Sequence, residues 1–405
     1  MSRLAPLALA AVVALALAAC APEPLGIYPA DGGGATAEAV PTPADGPDPE
    51  ATAAASSVSD LPACAELAAS LTPEEQVGQL FMLAVSTSGL DQAASSAITD
   101  NRVGSVVLLG NSSAGQPVIR PLTAELGSLA SARLPLLVAV DQEGGTVQRL
   151  KGEGFDDIPA ARTQGDMDPA ELAAKAAEWG AQLKLAGVDY NLAPVADVVP
   201  EAKRGTNEPI GKLRRDFGAD PAEVADSVVA VVEGMREAGV ATAAKHFPGL
   251  GEVTTNTDFG AALDTVTTAD SESLEPFRAA IAAGIASVMV SSAVFERIDP
   301  DNEGVFSSAV ITDLLRGDLG FDGVVIADDL GAAKAVADIT PGERAVRFFE
   351  AGGDLAINAS PAIMADMAAA TLEAAEDEAF AARVAESATR VLQLKVDAGL
   401  MTCEG

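Results

Sequence analysis

The chain has 405 residues and very few of the side chains that bind transition metals. It contains one histidine, His246, and three cysteines, Cys20, Cys64 and Cys403. Structural zinc and iron–sulfur sites usually need about four histidine or cysteine ligands in one place. Because so few ligands are spread over so long a chain, we predict no metal site of either kind.

Basic residues are also scarce. The chain has 25 lysines and arginines against 59 aspartates and glutamates, which gives a formal net charge of −34. Such a field repels nucleic acid phosphates and anionic lipid headgroups, so we expect neither as a partner. We interpret the acidity as a well-solvated surface.

The N-terminal 20 residues have the layout of an export signal. One arginine precedes an apolar run that is too short for a stable membrane span, which is typical of a secretory signal. Small residues lead into Cys20, as in a bacterial lipobox, so we predict that Cys20 is lipidated and anchors the protein to the outer face of the cell membrane. An ordinary signal peptide with a chance cysteine is the alternative. Residues 21–60 are rich in Pro, Ala, Gly, Ser and acidic residues, which predicts a disordered tether.

Residues 61–405 have the pattern of an α/β barrel. Capping side chains followed by proline and glutamate predict helix starts at Thr72, Asp168 and Asp220, and we place the last helix near 379–398. Between the helices lie eight apolar runs without alternation, typical of strands buried on both faces: 78–85, 103–110, 135–145, 188–198, 241–249, 287–295, 321–330 and 352–360. We therefore predict a single-domain (β/α)8 TIM-type barrel, with an open doubly wound sheet as the alternative.

Cys64 and Cys403 stand at opposite ends of this predicted barrel domain. Closing a barrel brings its first and last elements together, and thiols outside the membrane tend to be oxidised. We therefore expect a Cys64–Cys403 disulfide, with two unpaired thiols as the alternative.

Polar residues follow the predicted strands at their carboxyl ends. They are Asp141, Gln142, Glu143, Asp197, Lys245, His246, Asp328, Asp329 and Asn358. In a barrel all these ends converge on one rim, where active sites are built. Charged groups from distant parts of the sequence are therefore expected to meet in one cavity.

Four segments in order resemble glycoside hydrolase family 3, and in particular its single-domain β-N-acetylglucosaminidase branch. They are DQEGGTVQRL (141–150), NLAPVADV (191–198) followed by IGKLRRDFG (210–218), KHFPGLG (245–251) and GFDGVVIADDL (320–330). The resemblance implies that Asp328 is the nucleophile of a retaining mechanism, while we expect Asp329 to cap the next helix. It also implies that five residues hold the sugar: Asp141, Arg149, Arg215, Lys245 and His246.

The chain departs from this family at the acid/base. The family branch carries an Asp-x-His pair after KHFPG, and here Asn256 and Asp258 occupy these positions, while Leu250 and Ser292 stand where further family histidines are usual. Asp258 is our predicted acid/base, because most retaining glycosidases use a carboxylic acid. Glu252 in the same loop is a second candidate. A barrel that binds glycans without efficient hydrolysis is the third interpretation.

The leading prediction is therefore a lipid-anchored, monomeric, retaining β-glycosidase that acts at chain ends. By the resemblance, its substrate is N-acetylglucosamine in cell-wall glycans or muropeptides, and no organic cofactor or metal is implied. The alternative is a non-catalytic or weakly catalytic glycan-binding lipoprotein on the same barrel. A solute-binding lipoprotein should have two lobes, which eight strand-like runs argue against.

Overall fold

The structure is a computed structural model that describes residues 61–404. The predicted signal (1–20), the lipidation site Cys20 and the predicted tether (21–60) lie outside the described residues. Within 61–404, no helix combines the length and apolar character that crossing a bilayer requires.

Eight parallel strands form the barrel; seven lie within the predicted runs, and β1 extends one residue past the end of the first run, 78–85. They are β1 (Phe81–Ser86), β2 (Ser105–Leu109), β3 (Leu137–Val140), β4 (Tyr190–Asn191), β5 (Ala241–Phe247), β6 (Ser287–Val290), β7 (Val324–Ala327) and β8 (Ala356–Asn358). Their order is β8-β1-β2-β3-β4-β5-β6-β7. A parallel bridge between Ile326 and Leu355 brings β7 back beside β8. The barrel prediction is confirmed, and the open doubly wound sheet is excluded.

The strands are apolar on both faces because each face packs against something. In β1, Phe81, Leu83 and Val85 belong to the large core between the strands and the surrounding helices. Met82 and Ala84 point the other way and belong to the core inside the barrel. This two-sided burial explains the continuous apolar runs in the sequence. The barrel interior is thus packed, and a ligand can enter only at its ends.

Helices surround the barrel. They are α1 (Leu61–Ala69), α2 (Pro73–Gln79), α3 (Gln92–Asp100), α4 (Gln116–Gly127), α5 (Ala161–Gln164), α6 (Pro169–Leu185), α7 (Pro221–Glu237), α8 (Glu275–Ala282), α9 (Pro341–Glu350), α10 (Met364–Ala374) and α11 (Glu378–Asp397). Thr72, Asp168 and Asp220 cap α2, α6 and α7 with side-chain hydrogen bonds, as predicted. Their oxygens satisfy backbone N–H groups that have no partner in the first turn.

The rim departs from a regular barrel. The third and sixth predicted runs extend past their strands into short segments, Gln142–Gly144 paired with Val147–Gln148, and Val294–Phe295 paired with Leu263–Asp264 and Asp299–Glu303. A π-helix, Ala309–Asp318, follows β6. Short 3-10 turns complete the list: Glu201–Lys203, Glu272–Leu274, Gly304–Phe306, Lys334–Val336 and Pro361–Ile363.

A disulfide joins Cys64, on α1, to Cys403 near the C-terminus, with Cα atoms 4.9 Å apart. The same two regions also pack directly, because α1 lies against α11. The bridge therefore links the first and last elements of the described chain.

Candidate active site

A cavity of about 420 Å³ opens at the carboxyl ends of the barrel strands. Its base is apolar, because Val107, Leu192, Met289 and Ile357 line it from four different strands or their ends. Its volume falls in the usual range of small-molecule sites, about 300–1,000 Å³. Since the barrel below is packed, the cavity is a pocket closed at one end.

All seven residues predicted for the site line this one cavity. They are Asp141, Arg149, Arg215, Lys245, His246, Asp258 and Asp328. They come from loops or strand ends after β3, β4, β5 and β7, separated by up to nearly two hundred residues of sequence. Their convergence gives the pocket an apolar base and a charged wall.

Lys245 lies between two carboxylates. Its Nζ donates to Asp141 Oδ1 at 2.6 Å and lies 2.7 Å from Glu143 Oε1. Burial alone would lower the pKa of Lys245, but the charges of Asp141 and Glu143 outweigh it and raise the pKa above its usual range. The ammonium group is therefore charged and fixed in position, ready to donate to a hydroxyl.

Glu143 also binds Arg215 through two parallel hydrogen bonds, Nε to Oε2 at 2.8 Å and Nη2 to Oε1 at 2.7 Å. Burial by itself would raise the pKa of this carboxyl, but Arg215 and Lys245 together hold it far below its usual range. Glu143 thus neutralises and orients both cations. The guanidinium is held further by the carbonyl oxygen of Pro209, which accepts from Nη1 at 2.8 Å.

The sole histidine is held by a buried aspartate. Asp197 Oδ2 lies 2.8 Å from His246 Nδ1, and Oδ1 accepts the backbone N–H of His246 at 3.1 Å and that of Leu250 at 2.8 Å. The other ring nitrogen, Nε2, lies 3.5 Å from Arg215 Nη2. The imidazole therefore has a fixed plane within the cavity wall.

Arg149 is only partly used by the protein. Its Nη1 donates to Asn111 Oδ1 at 3.3 Å. Its Nε is buried, and within the described residues it has no hydrogen-bond partner. The guanidinium lines the cavity, so its terminal N–H groups are placed to donate to a ligand.

Asp328 differs from the other acidic groups of the wall. No lysine or arginine in residues 61–404 forms an ion pair with it, and its Oδ1 accepts the backbone N–H of Asp329 at 2.9 Å. Burial is the main cause that raises the pKa of Asp328; His246 lowers this pKa in part, and the negative charge of Asp258 raises it by less than His246 lowers it. The carboxylate is thus not engaged by a cation of the described residues.

Asp329 does not cap a helix, so that prediction is wrong. The next α-helix, α9, begins only at Pro341, after an irregular segment. The carboxylate of Asp329 instead accepts the backbone N–H groups of Gly331, Ala332 and Ala359. It therefore holds the loop after β7 against the end of β8.

Asp258 lies on an exposed turn over the cavity. Asn256 Oδ1 accepts the backbone N–H of Asp258 at 3.0 Å, and the carbonyl oxygen of Asp258 accepts that of Lys334 at 3.3 Å. The turn is therefore fixed from inside and from the loop after β7. Glu252, the second candidate acid, lies outside the residues that line the cavity and forms an ion pair with Lys203.

Sequence reasoning gave no role to Glu143 and Asp197. Both stand among the polar residues that end predicted strands, which was the only available signal. The sequence did not indicate their partners, because Arg215 lies 72 residues from Glu143 and His246 lies 49 residues from Asp197. Leu250 lines the cavity, and Ser292 is buried with an Oγ that has no partner among the described residues.

The arrangement suits the orientation of a polar, hydroxyl-rich ligand beside two unpaired carboxyl groups. Charge-assisted hydrogen bonds from Lys245, Arg215 and Arg149 can fix hydroxyl and carbonyl oxygens. Asp328 and Asp258 are then free for nucleophilic and proton-transfer chemistry. Among residues 61–404, no group of three or more His, Cys, Asp or Glu side chains is placed to hold a metal ion.

Comparison with known proteins gives consistent relatives. The family model for the glycosyl hydrolase family 3 N-terminal domain matches residues 72–394. The β-hexosaminidase of Stenotrophomonas maltophilia (strain K279a) is 36% identical over 271 residues, which is 65% of this chain and 78% of that protein.

Two solved structures are similar throughout the barrel. The β-N-acetylhexosaminidase from Beutenbergia cavernae superposes with a TM-score of 0.79 at 48% identity, covering 80% of this chain and 98% of that chain. A family 3 β-N-acetylglucosaminidase from Paenibacillus sp. gives a TM-score of 0.75 at 32% identity, covering 82% of this chain and 63% of the other.

Proposed function

The chain belongs to glycosyl hydrolase family 3 and is a glycoside hydrolase, and from this premise we propose that it removes terminal β-linked N-acetylglucosamine with retention of configuration. The observation that carries the proposal is the position of Asp328. It lines the same pocket as the Asp141–Lys245 pair, yet forms no ion pair with a cation of residues 61–404. The names of the relatives, β-hexosaminidase and β-N-acetylhexosaminidase, support this sugar class.

In the proposed first step, a carboxylate oxygen of Asp328 attacks the anomeric carbon while the protonated carboxyl of Asp258 gives its proton to the glycosidic oxygen. The bond between the anomeric carbon and that oxygen breaks, and the aglycone leaves as an alcohol. In the second step, the Asp258 carboxylate takes a proton from water. The water oxygen attacks the anomeric carbon, which frees Asp328 and releases the sugar with its original configuration.

We assign the binding of the terminal sugar to the charged wall. Asp141 and Lys245, 2.6 Å apart, are suited to adjacent hydroxyls, because one accepts and the other donates. Arg149, Arg215 and His246 line the same cavity and supply its remaining polar groups. A pocket with a closed base favours attack at the end of a glycan.

We further propose that the substrate is a cell-wall-derived glycan or muropeptide and that the protein works as a monomer. The predicted export signal and the lipobox-like residues before Cys20 support this location. Labelled fatty acid should be incorporated into the wild-type protein, and Cys20→Ser should abolish the label and release the protein from membranes. Label retained in Cys20→Ser would contradict lipidation at this residue.

The catalytic proposal is tested with an aryl N-acetyl-β-glucosaminide. The wild-type protein should release nitrophenol, and Asp328→Ala should reduce the rate by several orders of magnitude, because no nucleophile remains. Proton NMR of the first product should show the β-anomer. Equal rates for wild type and Asp328→Ala, or the α-anomer as first product, would refute the mechanism.

A further inference from the structure

Phe259 is exceptional among the phenylalanines of this protein. All twelve lie in the described part of the chain, and eleven of them are at most 9% exposed, whereas Phe259 is 80% exposed. A single exposed apolar residue is common and needs no functional reason. Phe259 differs from such residues in its location, because it lines the rim of the catalytic pocket.

The backbone at Phe259 is ordered although its ring is not packed. The carbonyl oxygen of Asn256 accepts the N–H groups of Phe259 at 3.0 Å and Gly260 at 3.2 Å. The preceding residue, Asp258, is held by the Asn256 side chain and by the backbone of Lys334. The ring is therefore presented at a fixed point of the rim, directly after the proposed acid/base.

A second exposed apolar side chain lines the same pocket. Leu213, in the loop after β4, is 36% exposed and comes from a part of the chain distant from Phe259. The other large exposed apolar residues of the described chain do not line the cavity: Leu61, Val118, Leu185, Leu263 and Val266. Phe259 and Leu213 thus add an exposed apolar edge to a pocket whose wall is charged.

From this edge we propose that Phe259, assisted by Leu213, is the platform for the sugar ring on the leaving-group side of the scissile bond. The inference rests on the proposed function, in which the glycosidic oxygen lies at Asp258. The aglycone begins at that oxygen, so its first ring meets the residue next to Asp258. A pyranose presents an apolar face of C–H groups, and an aromatic ring can cover that face and exclude water. Phe259 would therefore set the preference for a ring-shaped aglycone.

The test measures kcat/KM of the wild-type protein, Phe259→Ala and Phe259→Tyr on two substrates. One is N,N′-diacetylchitobiose, whose aglycone is a sugar ring, and the other is methyl N-acetyl-β-glucosaminide, whose aglycone is too small to reach the platform. For Phe259→Ala, kcat/KM should fall about five- to tenfold on the disaccharide and less than about twofold on the methyl glycoside. Phe259→Tyr should stay within about twofold of wild type on both. The matched control is Leu263→Ala, an exposed apolar residue outside the cavity lining, which should change neither.

Two results would overturn the platform. If Phe259→Ala loses activity equally on both substrates, the ring only supports the loop; if it loses none, the ring does not contact the aglycone. A binding measurement distinguishes failure of the platform from failure of the proposed function. In an Asp328→Ala background, calorimetry should show that Phe259→Ala weakens the disaccharide about fivefold or more and leaves N-acetylglucosamine unchanged. Unchanged disaccharide affinity would refute the platform, whether or not the wild-type protein hydrolyses it.

Discussion

Asp197 holds His246 through both of its carboxylate oxygens, one 2.8 Å from the imidazole Nδ1 and the other accepting the backbone N–H of the same residue at 3.1 Å. A carboxylate at Nδ1 favours the proton on that nitrogen. The other ring nitrogen, Nε2, lies 3.5 Å from Arg215 Nη2. The relationship fixes both the position and the hydrogen-bonding role of the only imidazole in the chain.

Asp197→Asn should therefore impair catalysis more than stability. The amide cannot accept from the imidazole and from two backbone N–H groups as the carboxylate does, so His246 and Leu250 shift. We expect kcat/KM on an aryl N-acetyl-β-glucosaminide to fall about ten- to a hundredfold, because small displacements of positioning groups have effects of this size. Asp189→Asn is the control, since Asp189 is also buried but pairs with Lys184 outside the cavity lining. A larger activity loss in Asp189→Asn than in Asp197→Asn would contradict the positioning role.

Asp258→Asn tests the proposed acid/base through the leaving group. A nitrophenolate leaves without a proton, whereas the sugar alcohol released from a disaccharide needs one. General acid catalysis contributes about 10²–10⁴-fold, so the loss on N,N′-diacetylchitobiose should exceed the loss on an aryl substrate by at least about tenfold. The Glu252→Gln variant provides the comparison, since Glu252 is paired with Lys203 and does not line the cavity. Equal losses on both substrates would remove Asp258 from this role.

The same variant should move the acid limb of the pH profile. Asp328 must be ionised to attack, so kcat/KM falls as the pH drops through its pKa, which burial and then the charge of Asp258 raise above the usual aspartate range. Asp258→Asn removes one of these causes and should shift the limb to lower pH on an aryl substrate. His246→Gln should shift it to higher pH, because the imidazole lowers the pKa of Asp328. An unchanged limb in both variants would mean that another group controls it.

Glu143→Gln should destabilise the fold, because Lys245 and Arg215 would lose a buried carboxylate that both contact. Removing one partner from a buried ion pair costs about 3–5 kcal/mol, and urea unfolding at pH 7 should show a loss of this order. The pKa of Glu143 is depressed, so its contribution is present above the unfolded pKa of about 4.3 and is lost only as the pH falls through the lower folded pKa. The gap between wild type and variant should stay constant from pH 7 to about pH 5. A gap that closes above pH 5 would contradict the lowered pKa.

The barrel was predictable because its strands have a one-dimensional signature. A strand packed on both faces must be apolar at every position, as Phe81 to Val85 are, and that pattern needs no knowledge of partners. The convergence of Asp141, Lys245 and Asp328 followed from the same topology, since parallel strands of a barrel end at one rim.

The ion pairs and hydrogen bonds within the site were not predictable in the same way. Glu143 serves Lys245 and Arg215, and nothing within ten residues of Glu143 indicates either partner. The role of Asp329 was predicted wrongly for a related reason. An aspartate after a strand fits a helix cap by local rules. Here its carboxylate instead accepts the backbone N–H groups of Gly331 and Ala359, and so holds an irregular loop to the end of β8. The backbone conformation of that loop could not be predicted from the residues next to Asp329.

Lys395 should make the free energy of unfolding depend on pH, and this residue does not line the catalytic pocket. It is fully buried on α11, and its Nζ donates to Gln79 Oε1 at 2.5 Å. Burial lowers the pKa of Lys395 to about 7, whereas an unfolded lysine titrates near 10.4. Between these values the unfolded chain binds more protons than the folded one, so the free energy of unfolding must rise with pH.

Lys395→Met removes this titration and keeps a side chain of similar length. Relative to the variant, the wild-type protein should therefore gain stability as the pH is raised from 6 to 9, measured by urea unfolding at each pH. The loss of the hydrogen bond to Gln79 adds an offset that does not depend on pH. Because Lys395 does not line the cavity, kcat/KM should be the same in both proteins at pH 7. Parallel stability curves for the two proteins would show that the buried amine keeps its proton over this range, and would contradict the lowered pKa.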